Sequence, residues 1–447
     1  MPDQPTGLLT DQYELTMLAA ALREGTQDVP CTFEVFGRRL PDGRRYGVVA
    51  GTERALDALT AFRFEPAALA WMTDHGIVDD VTAAWLADYR FTGDVEGYPE
   101  GEIYFPDSPM LTVRGGFGEA VVLETVLLSV LNHDVAIASA AARMAVAAGD
   151  RPVIEMGGRR THERAAVAAA RAAYLAGFTS TSNLEAGRTW GVPTGGTAAH
   201  AFTLLHRTEA EAFAAQVAAA GSGTTLLVDT YDITAGIEHA VAAAGPSLGA
   251  IRIDSGDLGV LAVQARRQLD DLGALAARIV VSGDLDEYAI AGLAVAPVDV
   301  YGAGTSVVTG SGAPTAGLVY KLVEVDGRPV AKRSTAKATH GGAKAALRLH
   351  RASGTATEEI LVSGPDRDAE VERLLATEVG ARRLQVPLVT AGERVPVEPV
   401  EGEPGGVDPA LAAARARLRE ALGSLPWEGL SLSRGEPAIA VRFVTTT

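Results

Sequence analysis

The chain has 447 residues, of which 47% are hydrophobic and 21% charged, and 56 acidic against 39 basic side chains give a net charge of −17. That length is more than one compact core usually holds, so two domains are expected. The negative field disfavours nucleic acid and anionic membrane as partners, while leaving room for a local basic pocket. Cys31 is the only cysteine, which excludes an intramolecular disulfide and a cysteine-based zinc site. In the apolar run from Cys31 to Phe36 it reads as packing rather than as a nucleophile. The opening MPDQPTGLLTDQYELT has neither the basic nor the long apolar region of a signal peptide. The longest apolar stretches are Ala-rich and broken by charge, so no transmembrane helix is expected and a cytoplasmic location follows.

In chain order, residues 1–118 mix a helix with short strands. Leu15, Leu18 and Leu22 share one helical face, and Thr10 or Asp11 stands where an N-cap is needed. Strands are expected around Phe33–Phe36 and Tyr46–Val49, with the Pro41-Asp42-Gly43 turn between them. Residues 119–320 alternate regularly: a short apolar strand, a Gly- or Ser-rich loop, then an Ala-rich helix. The strands end at Glu155-Met156, Val228, Ile253, Val281 and Tyr301. Such βα repeats imply a parallel sheet, either an α/β barrel or a doubly wound sheet, and no dinucleotide fingerprint opens the first unit. Residues 321–447 lose the alternation. Val319–Val325 and Pro329–Lys332 read as a hairpin turning at Asp326-Gly327, Gly402–Gly406 as a flexible break, and Ala410–Leu422 as a helix.

Polar residues gather just after the strands, where α/β barrels carry their chemistry. In Gly195-Gly196-Thr197-Ala198-Ala199-His200, glycines admit backbone N–H groups to an anion, and a histidine can take a proton or a phosphoryl group. Taken alone, such a histidine is more often an ordinary loop residue. In Ile251-Arg252-Ile253-Asp254, the alternation of a strand turns Arg252 and Asp254 the same way. The arginine can clamp a carboxylate, and the aspartate can accept from ribose hydroxyls or hold Mg²⁺ through water. Ser282-Gly283-Asp284 and Gly302-Ala303-Gly304-Thr305 follow late strands, the usual phosphate site of such barrels. Arg159, Arg160 and Arg164 near another strand end can neutralise a pyrophosphate. His162 has no second histidine at metal-ligand spacing, so a metal site there is not expected.

Taken together, LLTDQYELTM, FEVFGRRLP, EMGGRR, GFTSTSNLEAG, GTAAHAF, IRIDSGDLG, VVSGDLDEYAI and YGAGTSVVTG resemble the nicotinate phosphoribosyltransferase family, in the family's own order. The resemblance implies an α/β fold: an incomplete α/β barrel with a second, outer α+β domain built from both chain ends. It implies a homodimer with shared active sites, and formation of nicotinate mononucleotide and pyrophosphate from nicotinate and 5-phosphoribosyl 1-pyrophosphate with Mg²⁺, in NAD biosynthesis. It also implies coupling to ATP hydrolysis through a phosphohistidine, the ligase classification of such enzymes. The family's histidine falls on His200, its nicotinate-contacting residues on Tyr13, Thr197 and Arg252, and its phosphoribosyl-pyrophosphate threonine on Thr305. Similarity to the related nicotinamide enzyme places Arg159 and Asp254 on the phosphoribosyl group, with Asp254 counted as catalytic beside His200. Gly283 and Gly304 then belong to the phosphoribosyl-pyrophosphate loops. Metal ligands are not assigned.

Two departures stand out. Met156 replaces the Phe common in relatives, which puts aromatic stacking from that side in question. Ser182-Asn183 stands where the nicotinamide enzyme places an Asp, which favours nicotinate because its carboxylate is not repelled. The rivals are a nicotinamide phosphoribosyltransferase and a sugar-phosphate barrel enzyme. The lysine that a Schiff-base lyase would want is missing from residues 119–320.

Overall fold

The computed structural model describes residues 4–332, 340–396 and 406–446. The chain forms two compact units, one from Met1–Ala136, Thr315–Glu401 and Ala412–Thr447, the other from Ile137–Pro314 and Gly402–Leu411.

The second unit is built on six parallel strands: β1 (Val153–Glu155), β2 (Ser180–Thr181), β3 (Thr225–Leu227), β4 (Ala250–Ile253), β5 (Arg278–Ser282) and β6 (Val300–Ala303). They lie in the order β2-β1-β6-β5-β4-β3. The pairing of the last strand with the first, Tyr301 opposite Val153, is what barrel closure produces. The one neighbour pairing that a closed ring would add, β2 with β3, is missing among the described residues. Residues 182–224 fill that place with helices Leu184–Trp190, His200–Leu205 and Glu209–Ala220 and a single bridge from Thr181 to Thr194. The sheet is therefore an incomplete α/β barrel and not a doubly wound sheet. Ile251, Ile253, Ile279 and Val281 are wholly buried, as expected of parallel strands covered on both faces. Helix Glu163–Leu175 buries Ala166, Ala168, Ala169 and Ala170, whose small side chains let it lie close to its neighbours.

Helical residues Phe117–Ala148 are long and apolar enough to cross a membrane by length and composition, with a mean hydropathy of 1.6 in the most apolar window, but 61% of that window is buried within the protein. Its charges are paired inside the fold: Asp134 with Arg54 at 2.7 Å and Arg143 with Glu287 at 3.0 Å. Such a helix reads as a core element.

In the first unit, the strand Pro30–Gly37 lies between Leu318–Val325 and Leu111–Gly116, antiparallel to both. The strands expected on either side of Pro41-Asp42-Gly43 both form, and Gly47–Val48 pairs with Ile103–Tyr104. Leu318–Val325 does turn back through Asp326 and Gly327, both left-handed, onto Arg328–Pro329. The first helix runs Gln12–Glu24, and neither Thr10 nor Asp11 caps it with a side chain. The Thr10 hydroxyl donates to Glu14 instead, and Glu14, wholly buried, also accepts from Thr125 N at 3.0 Å and from the Thr125 hydroxyl. Cys31 is buried and its thiol is pushed up to about 11 by that burial, consistent with packing. The expected helix near the end is Pro409–Ser424. Of the expected break, residues 402–405 lie outside the described residues.

A buried ion network joins the sheets of this unit. Arg348, with no exposed surface, donates to Glu102 Oε1 at 2.6 Å and Glu359 Oε2 at 2.8 Å. Arg382 reaches the other oxygen of Glu102 at 2.7 Å, and Tyr98 donates to Glu359 Oε1 at 2.7 Å. Removing one member leaves a buried charge uncompensated, which typically costs about 3–5 kcal/mol. Arg348→Ala should therefore lose stability of that order in denaturant-induced unfolding; a loss comparable to that of a surface charge would show that the network is not held dry.

Candidate active site

The C-terminal ends of β4 and β5 and the segment 195–199 bring four side chains together, Arg252, Asp254, Ser282 and Thr197. The register that sets Val281 opposite Ile253 places Ser282 beside Asp254. Arg252 and Asp254 point the same way, as the strand alternation demands, and Arg252 Nη2 donates to Asp254 Oδ1 at 2.8 Å. Arg252 Nε donates to Ser282 Oγ at 2.8 Å, and Nη1 to Thr197 Oγ1 at 3.2 Å. Ser282 in turn donates to Asp254 Oδ1. Three of the guanidinium's five N–H groups are thus spent on orientation, and two remain for a ligand.

Asp254 titrates below the ordinary carboxylate value. Burial opposes its ionisation, but the Ser282 hydrogen bond and the charge and hydrogen bond of Arg252, helped by the nearby His200, outweigh it. Its backbone N–H donates to Asp229 Oδ2 at 2.9 Å, and Ser255 Oγ donates to the same oxygen at 2.9 Å. The other oxygen, Asp229 Oδ1, is buried without a hydrogen-bond partner. His200 opens helix His200–Leu205, and its Nδ1 lies 3.1 Å from Thr230 Oγ1. Thr197 and His200 thus sit in the place where the barrel ring is open.

Packing requires glycine at Gly283, Gly157 and Gly302, whereas a Cβ at Gly304 would make only ordinary contact, 3.5 Å from Met156 O. Gly283 has φ 107°, and a Cβ there would lie 2.4 Å from Asp254 O. Gly157 has no room for a Cβ, which would fall 2.2 Å from Val308 Cγ1 and 2.8 Å from Gly304 O. Met156 packs beneath Gly302, where a Cβ would lie 2.9 Å from its sulfur. Thr305 and Arg159 are exposed at the rim. Gly304 directly follows β6, which runs two residues later than expected because Asp299 Oδ2 accepts from Ile279 N at 2.7 Å before the strand begins.

Tyr13 lies in the other unit, on helix Gln12–Glu24, and is 47% exposed. Its phenol is pushed well up by burial and by the neighbouring carboxylates, Glu124 foremost.

Sequence reading gave Ser282 only as part of a phosphate-loop candidate, not as a partner of Arg252 and Asp254, and left Asp229, Thr230 and Glu155 without roles. Glu155 ends β1 and is 1% exposed. It accepts from Gly157 N and from the Thr181 hydroxyl, so it ties the Gly157-Gly158 loop to the Thr181–Asn183 segment. The signal was present only as an acid inside an apolar strand run. Among the described residues, no cluster of three or more His, Cys, Asp or Glu side chains suits a metal ion.

Residues 8–132 match the family model of the nicotinate phosphoribosyltransferase N-terminal domain. A nicotinate phosphoribosyltransferase of Mycobacterium tuberculosis is 60% identical over 98% of this chain and 96% of its own length. The chain belongs to the nicotinate phosphoribosyltransferase family. The Bacillus subtilis nicotinate phosphoribosyltransferase is 37% identical over 73% of this chain and 69% of its own. The crystal structure of the human nicotinic acid phosphoribosyltransferase superposes with a TM-score of 0.79 at 26% identity, covering 98% of this chain and 97% of that one. A solved structure from Pyrococcus furiosus, described as a nicotinate-nucleotide pyrophosphorylase, superposes at 0.76 with 25% identity over 94% and 95% of the two chains. The incomplete barrel with a second α+β unit is therefore the fold of this family, and the chain is an enzyme of this kind.

Burial pushes the Glu155 carboxyl up, and the hydrogen bonds from Thr181 and Gly157 only partly offset it. The folded chain holds this proton more tightly than the unfolded chain, so the group's contribution to stability falls as pH rises from the ordinary carboxylate value through the raised one. Glu155→Gln removes the charge and keeps the shape. It should be more stable than the parent near neutral pH, with the advantage shrinking as the parent is acidified through that range. Urea unfolding at several pH values checks this; an advantage that grows on acidification would refute it.

Proposed function

We propose that this chain forms nicotinate mononucleotide and pyrophosphate from nicotinate and 5-phosphoribosyl 1-pyrophosphate, a step of NAD biosynthesis, with ATP hydrolysis coupled through His200. The reading rests above all on Arg252, a largely buried guanidinium fixed by Ser282, Thr197 and Asp254 with donors to spare. Nicotinate is a pyridine whose ring nitrogen attacks the anomeric carbon without a general base, so the enzyme's task is orientation. The remaining N–H groups of Arg252 and the Thr197 hydroxyl suit the carboxylate of nicotinate. Asp254, held ionised, suits a ribose hydroxyl and the positive charge that grows on the sugar. The N–H groups of the Gly283 and Gly304 loops, with Thr305 and Arg159, suit the negative charge that grows on pyrophosphate.

Mg²⁺ fits this site as a companion of the substrate. It would take most of its ligands from pyrophosphate and water, with the unpartnered Asp229 oxygen and Asp254 as the protein carboxylates at hand. When bound, it would neutralise charge on the leaving group. His200 would accept the γ-phosphoryl group of ATP on a ring nitrogen, releasing ADP, and lose it to water as phosphate. The added charge would alter affinity for substrates and products, which is the coupling.

The assembly proposed is a homodimer. Leu184, Leu204, Leu205 and Tyr231 around the opening of the barrel are 60% or more exposed, more apolar surface in one region than a free rim needs. Tyr13, exposed on the helix that follows Leu8 and Leu9, would cover the nicotinate ring of the partner's site.

The test supplies 5-phosphoribosyl 1-pyrophosphate and Mg²⁺ with nicotinate or nicotinamide, with and without ATP. Nicotinate mononucleotide is the expected product; its absence sinks the assignment, and faster turnover of nicotinamide transfers it to the amide. Arg252→Ala should raise KM for nicotinate by about tenfold or more, the loss of a charge-assisted hydrogen bond. His200→Ala should keep the fold and the unstimulated transfer and lose the stimulation by ATP; full stimulation in this variant would remove His200 from the coupling step.

A further inference from the structure

Glu287 and Arg143 have no part in the site described above, although both are almost wholly buried. Glu287 opens the short helix Glu287–Gly292 that follows the Ser282–Asp286 loop. Its Oε1 accepts from Arg143 Nε at 3.0 Å, and Arg143 Nη2 donates to the Tyr288 hydroxyl at 3.3 Å. Its Oε2 accepts from the Ser311 hydroxyl. Ser311 stands at the exit of the Gly304–Thr309 loop, whose residues Thr305–Val308 form one helical turn, and it is left-handed at φ 48°, with its N–H donating to Ser306 O at 2.7 Å. Its neighbour Gly310 cannot carry a side chain, since a Cβ would lie 2.1 Å from Ala313 O. Further back in the same loop, Val308 packs on Gly157 of the third rim loop. One carboxylate therefore ties two glycine loops together directly, and the third follows through Val308.

We propose that Glu287, fixed by Arg143 and acting through Ser311, is a positioning residue that sets the spacing of the glycine loops for the pyrophosphate-bearing substrate. The inference rests on the reaction proposed above. Its physical ground is that a cradle of backbone N–H groups must be placed to tenths of an ångström to hold phosphate oxygens. The rim is rich in glycine and alanine, at Gly302 and Ala303 in the end of β6 and at Gly283 and Gly304 just beyond β5 and β6, and so brings few side chains with which to fix itself. A buried ion pair is weak evidence for stability. A carboxylate whose two oxygens are shared between a core arginine and the exit of a loop fixes a distance between those two segments.

Glu287→Ala would leave Arg143 buried without its carboxylate and invites unfolding, so the variants to make are at Ser311. Ser311→Ala removes the hydroxyl and keeps the left-handed backbone; Ser311→Gly removes it and relieves that backbone. Both are expected to raise KM for 5-phosphoribosyl 1-pyrophosphate by about threefold to tenfold, the scale of one ordinary lost hydrogen bond. KM for nicotinate and the thermal midpoint should stay within error of the parent. An unchanged KM for the phosphoribosyl substrate in both variants, or an equal rise for both substrates, overturns the inference. A rise in Ser311→Ala alone assigns the effect to backbone strain and overturns it equally. The parent is assayed alongside: if it forms no nicotinate mononucleotide, the reaction falls, whereas an active parent with indifferent variants strikes only the role of Glu287.

Discussion

The site depends on one guanidinium placed where a parallel sheet would otherwise be apolar. Arg252 lies in a strand whose neighbours Ile251 and Ile253 are wholly buried. A charge at such a place is tolerable only if its donors are met. Ser282, Thr197 and Asp254 meet them from β5, the segment 195–199 and its own strand. Satisfying Arg252 therefore draws three separate parts of the chain to one point. The same bonds hold Asp254 ionised and bring Thr197 to the edge of the pocket. The short segment from Thr197 to His200 then fixes where the His200 ring stands, 3.1 Å from the Thr230 hydroxyl.

Two carboxylates at the strand ends show how the same burial is steered in opposite directions. Asp254 is pulled below the ordinary range because a serine hydroxyl and an arginine outweigh desolvation. Glu155 is pushed above it because its donors are a backbone amide and a hydroxyl, neither charged. The difference lies in the partner's charge. A charged partner for Glu155 would have stabilised its anion and added a second cation to a rim already supplied with arginines.

Much of this was legible in the sequence because parallel strands covered on both faces are apolar throughout and expose polar residues only at their ends. That contrast made Arg252, Asp254, Thr197 and His200 stand out, and period-two alternation set Arg252 and Asp254 on one side. Contacts set by long-range pairing were not legible. The strand Pro30–Gly37 finds partners nearly 300 residues away, so no local turn chemistry could announce them. Caps failed for a related reason: Thr10 spends its hydroxyl on Glu14, a buried acid whose need outweighs that of the helix end. The start of β6 was displaced by a side chain, Asp299, that takes a backbone donor from the adjoining strand.

Buried acids are the residues that sequence reading passes over most easily. Glu155 and Glu287 sit among apolar or helical neighbours, and alternation tells which way such a side chain points but not what it meets. Each turns out to hold glycine-rich loops in place: Glu155 joins Gly157 to Thr181, and Glu287 joins the Ser282–Asp286 loop to Ser311. The arrangement suits loops that present backbone N–H groups rather than side chains. Backbone N–H groups can approach phosphate oxygens only where side chains are absent, and a loop without side chains has little of its own with which to stay in place. The fixing groups must then come from beneath, on regular elements packed in the core, and they must accept hydrogen bonds, because the amides and hydroxyls of such loops have donors to spare. Carboxylates meet both conditions, and their desolvation is the cost that a rim of glycines imposes on the barrel below it.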